Sequence, residues 1–160
     1  RGESASTLYE TMVAAVRSKD SSGRTVAENL LVDYPNTPYG VGAALMLARL
    51  ELEGGNVDAA KAQLNWVLEN TTEASFRHAA TLRLARIALD EGDHDSARML
   101  LEPSGDSFQS MYDELRGDIL AHSGDRRAAQ IAYDAALVAL TGRSGVRDLL
   151  QVKRDRIATD

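Results

Sequence analysis

The fold is decided by the stretch Gly55-Asn56-Val57-Asp58-Ala59-Ala60, because closely similar stretches recur twice further along the chain. A glycine readily adopts the left-handed conformation that ends a helix, and an adjacent Asp or Asn can cap the helix that follows. Each stretch therefore predicts a tight turn between two helices. The two later copies are Gly92-Asp93-His94-Asp95-Ser96-Ala97 and Gly124-Asp125-Arg126-Arg127-Ala128-Ala129.

Small and large residues flank each turn at fixed distances. A small residue lies seven positions before the glycine, and a large residue lies four positions after the last alanine. Two antiparallel helices can approach closely at the small residue, and the large residue fills the space between them. The small residues are Ala48, Ala85 and Gly117, and the large ones are Leu64, Leu101 and Tyr133.

The spacing of the turns indicates a structural repeat. Gly55 and Gly92 are 37 residues apart, and Gly92 and Gly124 are 32 apart. These distances bracket the 34-residue period of tetratricopeptide repeats. The sequence therefore predicts an all-α fold of antiparallel helix pairs, arranged as a tetratricopeptide-like right-handed superhelix.

We expect one domain over 1–160, with a weak first repeat, three full repeats and a capping helix. In the weak repeat, Thr7 and Glu10 are spaced as a capping box, and Thr37 followed by Pro38 begins the next repeat. The last helix should pack its apolar residues on the final repeat and expose its arginines. The weak repeat covers about 5–35, the full repeats about 38–70, 74–104 and 107–140, and the capping helix about 145–158.

The composition excludes several classes of function. Hydrophobic residues make up 44% of the chain and aromatic residues only 5%, a balance that favours helices over strands. The formal net charge of −6 argues against general nucleic-acid binding, which needs a basic surface. The chain has no cysteine, so disulfides and cysteine-ligated metals are excluded. The longest apolar stretch, Val41–Leu47, is far shorter than the ~20 residues of a membrane-spanning helix.

No motif supports catalysis or a cofactor. The histidines, His78, His94 and His122, have no paired-ligand spacing, so we predict structural or solvated side chains rather than a metal site. No serine has a Gly-x-Ser-x-Gly setting, and residues 40–42 lack the third glycine of a phosphate loop. The prediction is a protein that is not an enzyme and binds no cofactor. The alternative from a different class is a small helical enzyme or metal protein.

Superposition of the repeats predicts which side chains line the concave surface of the superhelix. In two repeats the first helix presents leucines on both sides of an arginine. This pattern favours a protein partner with an apolar segment that carries acidic groups, rather than an asparagine–lysine clamp for C-terminal carboxylates. The predicted partner-binding residues are Leu45, Arg49 and Leu52, then Leu82, Arg86 and Leu89, then Glu114 and Asp118.

Other interpretations of these residues stay open. The leucines could be covered by the chain's own terminal helix. The arginines at 49 and 86 could simply pair with Glu53 and Asp90, each four residues further along the same helix. Trp66, the single tryptophan, either packs near Phe76 or anchors a partner at the surface.

Two stretches are more particular than the repeat pattern, and they indicate a family. With residues 63–68 and 82–86, they resemble the YfgM family of ancillary subunits of the bacterial SecYEG translocon. The resemblance extends over most of the chain. The two stretches are Asp33-Tyr34-Pro35-Asn36-Thr37-Pro38-Tyr39-Gly40 and Tyr112-Asp113-Glu114-Leu115-Arg116-Gly117-Asp118.

The resemblance implies a location and a set of partners. It implies a protein of the bacterial inner membrane, held by one N-terminal helix, with this domain in the periplasm. The implied partners are the Sec translocon, a membrane-anchored prolyl-isomerase-like chaperone and exported client proteins, together with a role in envelope stress regulation. Because the sequence begins at Arg1 without a methionine, we expect the anchoring segment to be missing here. The alternative is a generic tetratricopeptide scaffold of another cell-envelope complex.

Overall fold

The computed structural model describes residues 4–102, 107–140 and 144–159, and within these ranges it contains nine α-helices and no strand. The predicted all-α class is therefore confirmed. The helices are α1 Ala5–Arg17, α2 Ser22–Asp33, α3 Pro38–Glu53, α4 Val57–Asn70, α5 Ala74–Asp90, α6 His94–Leu100, α7 Gln109–His122, α8 Arg126–Ala139 and α9 Ser144–Thr159.

The chain divides into two compact units, and the boundary lies within α5. The first unit ends at Thr81, and the second begins at Leu82. In the first unit α1, α2, α3 and α4 pack in sequence, and in the second α6 packs on α7, α7 on α8 and α8 on α9. The single domain over 1–160 stays a prediction.

Each of the three predicted turns contains a left-handed glycine. The φ angle is 81° at Gly55, 79° at Gly92 and 87° at Gly124. After each glycine, the next N–H bonds a carbonyl five residues earlier, as Asn56 N does with Glu51 O at 2.8 Å. This is the hydrogen-bond pattern that closes a helix end on a left-handed residue. The prediction of helix pairs on either side of these glycines is confirmed.

The polar residue after each glycine forms one of two kinds of side-chain hydrogen bond. The carboxylates of Asp93 and Asp125 each accept a backbone N–H three residues further on, at 3.1 Å in both cases. The side chain of Asn56 instead donates to Glu51 Oε2 at 3.0 Å, in the preceding helix. Side-chain caps of α6 and α8 were therefore predicted correctly, whereas Asn56 reinforces the turn.

The first helix begins earlier than the sequence suggested. Ser4 Oγ accepts the N–H of Thr7 at 3.3 Å and so caps α1. The predicted capping box of Thr7 and Glu10 is therefore wrong, because both residues already lie inside the helix. The prediction for α3 is confirmed, since Thr37 Oγ1 accepts the N–H of Gly40 at 3.1 Å.

The small and large residues around the turns occupy the interiors of the two units. Ala48, Ala85 and Leu64 are completely buried. Two helices of the second unit approach very closely, because a Cβ atom added to Gly117 would lie 2.4 Å from Tyr133 Cε1. Only glycine leaves room there for the tyrosine ring, so α7 and α8 are held at a distance set by this pair.

The terminal helix packs on α8, as a capping helix should. Leu150 is buried, with 1% of its surface exposed. Other apolar residues of the helix face solvent, because Leu149 and Val152 are 61% and 53% exposed. Arg154 is not left in solvent, since its Nη1 lies 3.2 Å from Asp134 Oδ1 of α8. This helix therefore has apolar residues on both faces.

Candidate protein-binding surface

In the first unit, the three predicted partner-binding residues differ in exposure. Leu45 is 9% exposed and Leu52 is 36% exposed, so only the second leucine offers much surface to a partner. The Nε of Arg49 lies 3.0 Å from Glu53 Oε1, and both side chains are more than half exposed. The alternative in which Arg49 pairs along its own helix is therefore observed. Such an exposed pair exchanges readily with solvent or a ligand carboxylate.

In the second unit, the equivalent arginine has a different partner. Arg86 Nη2 donates to Asp118 Oδ2 of α7 at 2.8 Å, and not to Asp90, the alternative partner four residues along the same helix. Leu89 is 5% exposed and belongs to the core between α5, α6 and α7, and Leu82 is half-buried against that core. In the second unit the two leucines of the pattern pack in the core, and its arginine forms an ion pair with another helix.

Asp118 is the centre of a polar cluster that joins α5, α7, α8 and α9. Only 7% of its surface is exposed. Its Oδ1 accepts a 2.6 Å hydrogen bond from the hydroxyl of Tyr133, and Lys153 Nζ lies 3.2 Å from Oδ2. The same Lys153 donates to Glu114 Oε1 at 2.8 Å. Both predicted acidic partner-binding residues are thus bound by groups of the chain itself.

The cluster fixes the ionisation of its members. Burial disfavours the charged form of Asp118, but hydrogen bonds from Tyr133 and Arg86 and the charges of Lys153 and Arg86 outweigh it and lower the pKa of this carboxyl. Burial, and next the hydrogen bond to Asp118, raise the pKa of the Tyr133 hydroxyl. The arrangement is therefore a charged carboxylate that holds a neutral phenol and two cations.

The sequence revealed two members of this cluster only in part. Tyr133 was identified by its size, as a filler between helices, and its hydroxyl had no predicted role. Lys153 had no predicted role. Neither residue could be paired with Asp118 from the sequence, because the contacts span 15 and 35 positions between different helices.

The other candidate side chains do not form a chemical site. In the described parts of the chain, no group of three or more histidines, aspartates or glutamates is placed to hold a metal. His122 Nδ1 lies 2.8 Å from the backbone oxygen of Asp118, and His94 Nδ1 lies 3.1 Å from Ser123 Oγ. Trp66 is half-buried on α4, an exposure that fits both interpretations of its role. The absence of a metal or cofactor stays a prediction.

These features define the class of protein. A family model described as a tetratricopeptide repeat-like domain matches residues 1–159, so the chain belongs to that family. The predicted class is thereby confirmed. No solved structure is significantly similar to the chain.

The relatives within this class share one description, and each is called an ancillary SecYEG translocon subunit. The Escherichia coli K12 protein is 30% identical over 135 residues, which are 84% of this chain and 65% of the relative. The Neisseria gonorrhoeae protein is 28% identical over 160 residues, 98% of this chain and 77% of the relative. The Haemophilus influenzae protein is 29% identical over 133 residues, 82% and 65%. The predicted resemblance is confirmed.

The extent of the match limits what the relatives say about this chain. The chain spans 65% of the length of the Escherichia coli relative. Among the described residues, no helix is long and apolar enough to cross a bilayer.

Proposed function

We propose that this chain is the protein-binding domain of an ancillary subunit of the SecYEG translocon. The observation that carries the proposal is that relatives described in this way match 82–98% of the chain. The family assignment adds a reason, because helical repeats of this kind stack into extended binding surfaces. The role is binding without catalysis.

The location and the further partners follow from the same proposal. A membrane helix N-terminal to this domain would hold it at the inner membrane, with the domain in the periplasm. A membrane-anchored prolyl-isomerase-like chaperone would bind beside the translocon, and exported proteins would be the clients. A contribution to envelope stress regulation would follow from sensing the load of such clients. None of these partners requires a basic surface for nucleic acid.

The exposed members of the predicted set are the proposed contact residues. In the first unit these are Arg49 and Leu52, whose side chains lie at the surface, while Leu45 supports them from the interior. In the second unit Arg86 is 46% exposed along its side chain, although Asp118 holds its guanidinium. Glu114 and Asp118 then act by positioning cations rather than by contacting a partner.

The test is site-specific crosslinking in bacterial membranes with the natural full-length protein. A photoreactive residue at Leu52 should give adducts that antibodies to SecY, SecE or SecG detect. The matched control places the same residue at Val32, which is 77% exposed on α2 and outside the predicted surface. If neither position yields a translocon adduct, and SecYEG does not co-purify with the protein, the proposal is wrong. Recovery of a different envelope complex would support the generic scaffold instead.

A further inference from the structure

The turn between α1 and α2 differs from the turns after α3, α5 and α7 in the residue at its left-handed position. Lys19 has φ 59°, whereas Gly55, Gly92 and Gly124 hold the corresponding position in those three turns. The hydrogen bonds are equivalent, since Lys19 N bonds Val16 O at 3.0 Å. A side chain in this conformation is unfavourable relative to glycine. Strained residues of this type concentrate at functional sites.

Lys19 lines a cavity within the first unit. The cavity lies between α1, α2 and α3, and its volume is about 800 Å³, within the range of ligand-binding pockets. Its apolar lining comes from half-buried side chains of α1 and α3. They are Val13, Val16, Met46 and Leu50.

Some of the cationic residues around this cavity form ion pairs, and others do not. Arg24 forms an ion pair with Glu51, and Arg49 forms one with Glu53. In the part of the chain that the structure describes, the side chains of the other two lining cations, Arg17 and Lys19, form no ion pair or hydrogen bond. The lining has two acidic residues. Glu53 is paired with Arg49, and Asp20, whose Oδ1 accepts the N–H of Ser22 at 2.9 Å, keeps its negative charge. The four lining cations nevertheless outnumber these two anions.

The cavity is therefore cationic in a chain whose formal net charge is −6. We infer that the α1–α3 cavity binds a partner segment in which carboxylates flank an apolar side chain. The apolar side chain would rest on Val16 and Leu50, and the carboxylates would meet Arg17 and Lys19. This site rests on the proposed binding function and names the chemistry of the segment that is bound. It requires no contribution from the second unit.

The competing explanation is local. Cations at the end of α1 also interact favourably with the partial negative charge of a helix C-terminus. Arg17 fits that role. Lys19 fits it less well, because the left-handed backbone conformation at this position is unfavourable for a lysine. Replacing Lys19 by glycine would preserve the turn and remove the cation, so it separates the two explanations.

The experiment uses fluorescence anisotropy with a blocked, fluorescein-labelled peptide. The peptide has a central leucine–phenylalanine pair flanked by glutamates, and a second peptide carries glutamines instead. The Arg17→Gln/Lys19→Gln variant removes both unpaired cations. The matched control, Arg126→Gln/Arg127→Gln, removes two exposed arginines from the start of α8 and leaves the same net charge.

The chain and the control should bind the acidic peptide with equal affinity, and added salt should weaken this binding. The Arg17/Lys19 variant should bind about tenfold more weakly. Lys19→Gly alone should weaken binding by roughly two- to fivefold. Equal affinity of the Arg17/Lys19 variant and the control would overturn the inference, as would equal binding of the two peptides or no binding of the acidic one.

The outcome is independent of the test of the proposed function. Loss of peptide binding in the Arg17/Lys19 variant supports the cavity whether or not the full-length protein crosslinks to SecYEG. Absence of SecYEG adducts, with the peptide result intact, contradicts only the proposed translocon partner.

Discussion

Lys153 Nζ of α9 lies 2.8 Å from Glu114 Oε1 and 3.2 Å from Asp118 Oδ2 of α7. One lysine of the terminal helix thus bonds both acidic residues that the repeat pattern assigned to a binding surface. In the second unit the terminal helix therefore occupies that part of the predicted surface. The ammonium group of Lys153 neutralises the buried carboxylate of Asp118. The terminal helix therefore stabilises the fold in addition to covering part of the predicted surface.

We expect Lys153→Ala to lower the stability of the domain by about 1–3 kcal/mol, because a buried carboxylate loses a charged hydrogen-bond donor. Arg86 and Tyr133 stay in place, which keeps the loss below that of an isolated buried charge. Urea denaturation followed by circular dichroism measures the change. Arg127→Ala, at an exposed arginine of α8, is the control and should change stability by less than about 0.5 kcal/mol. Equal stability of the two variants would contradict the role of Lys153.

The lowered pKa of Asp118 predicts a specific dependence of stability on pH. The pKa of Asp118 is lower in the folded chain than its usual value of 3.8. Such a carboxyl stabilises the fold at pH values above that usual pKa. That contribution is lost as pH falls through the folded pKa. Asp118→Asn should therefore be less stable than the natural chain near neutral pH, and the difference should shrink as the solution becomes more acidic than the usual pKa. Denaturation curves across acidic pH measure it. A difference that stays constant down to the most acidic solutions would refute this coupling.

The close approach of α7 and α8 makes Gly117 intolerant of a side chain. In Gly117→Ala the added methyl group would lie 2.4 Å from the Tyr133 ring, and we expect a loss of about 1–3 kcal/mol through overpacking. Gly54→Ala is the control, because the nearest atom to its added Cβ is 3.5 Å away. That substitution should be neutral or slightly stabilising. Calorimetry measures the melting temperatures of both variants. Equal melting temperatures would mean that α7 and α8 can move apart at little cost in stability.

The left-handed turn at Lys19 predicts opposite effects for two substitutions. Lys19→Gly should stabilise the domain by about 1 kcal/mol, since glycine adopts this conformation without the steric penalty. Gly55→Ala should destabilise it by a similar amount, because φ is 81° there although nothing lies within 4 Å of the added Cβ. Thermal melting compares the two. A destabilised Lys19→Gly would mean that the lysine side chain contributes contacts that outweigh its strained backbone.

The fold was predictable where one local pattern decides it. Gly55 and its two counterparts fix helix ends through their own conformation, and Ala48 and Gly117 carry their packing role in their size. Lys19 was not recognised as a turn residue, because its left-handed conformation is unusual for a lysine. The polar cluster was not predictable either. Asp118, Tyr133 and Lys153 come from three helices, and only packing brings them within hydrogen-bond distance.

Arg49 and Arg86 occupy equivalent repeat positions, but reversing their charges should have different effects on folding. Arg49→Glu breaks only an exposed pair with Glu53, so we expect a loss of about 0–1 kcal/mol. Arg86→Glu would remove the guanidinium whose Nη2 lies 2.8 Å from Asp118 Oδ2 and bring a second carboxylate toward this buried one. We expect a loss of about 3 kcal/mol or more. Urea denaturation gives both values. Asp118→Asn combined with Arg86→Glu should restore part of the loss, because the repulsion between carboxylates is removed. If instead Arg49→Glu and Arg86→Glu are equally stable, the ion pair between Arg86 and Asp118 does not form in solution. The guanidinium of Arg86 would then be as available to a partner as that of Arg49.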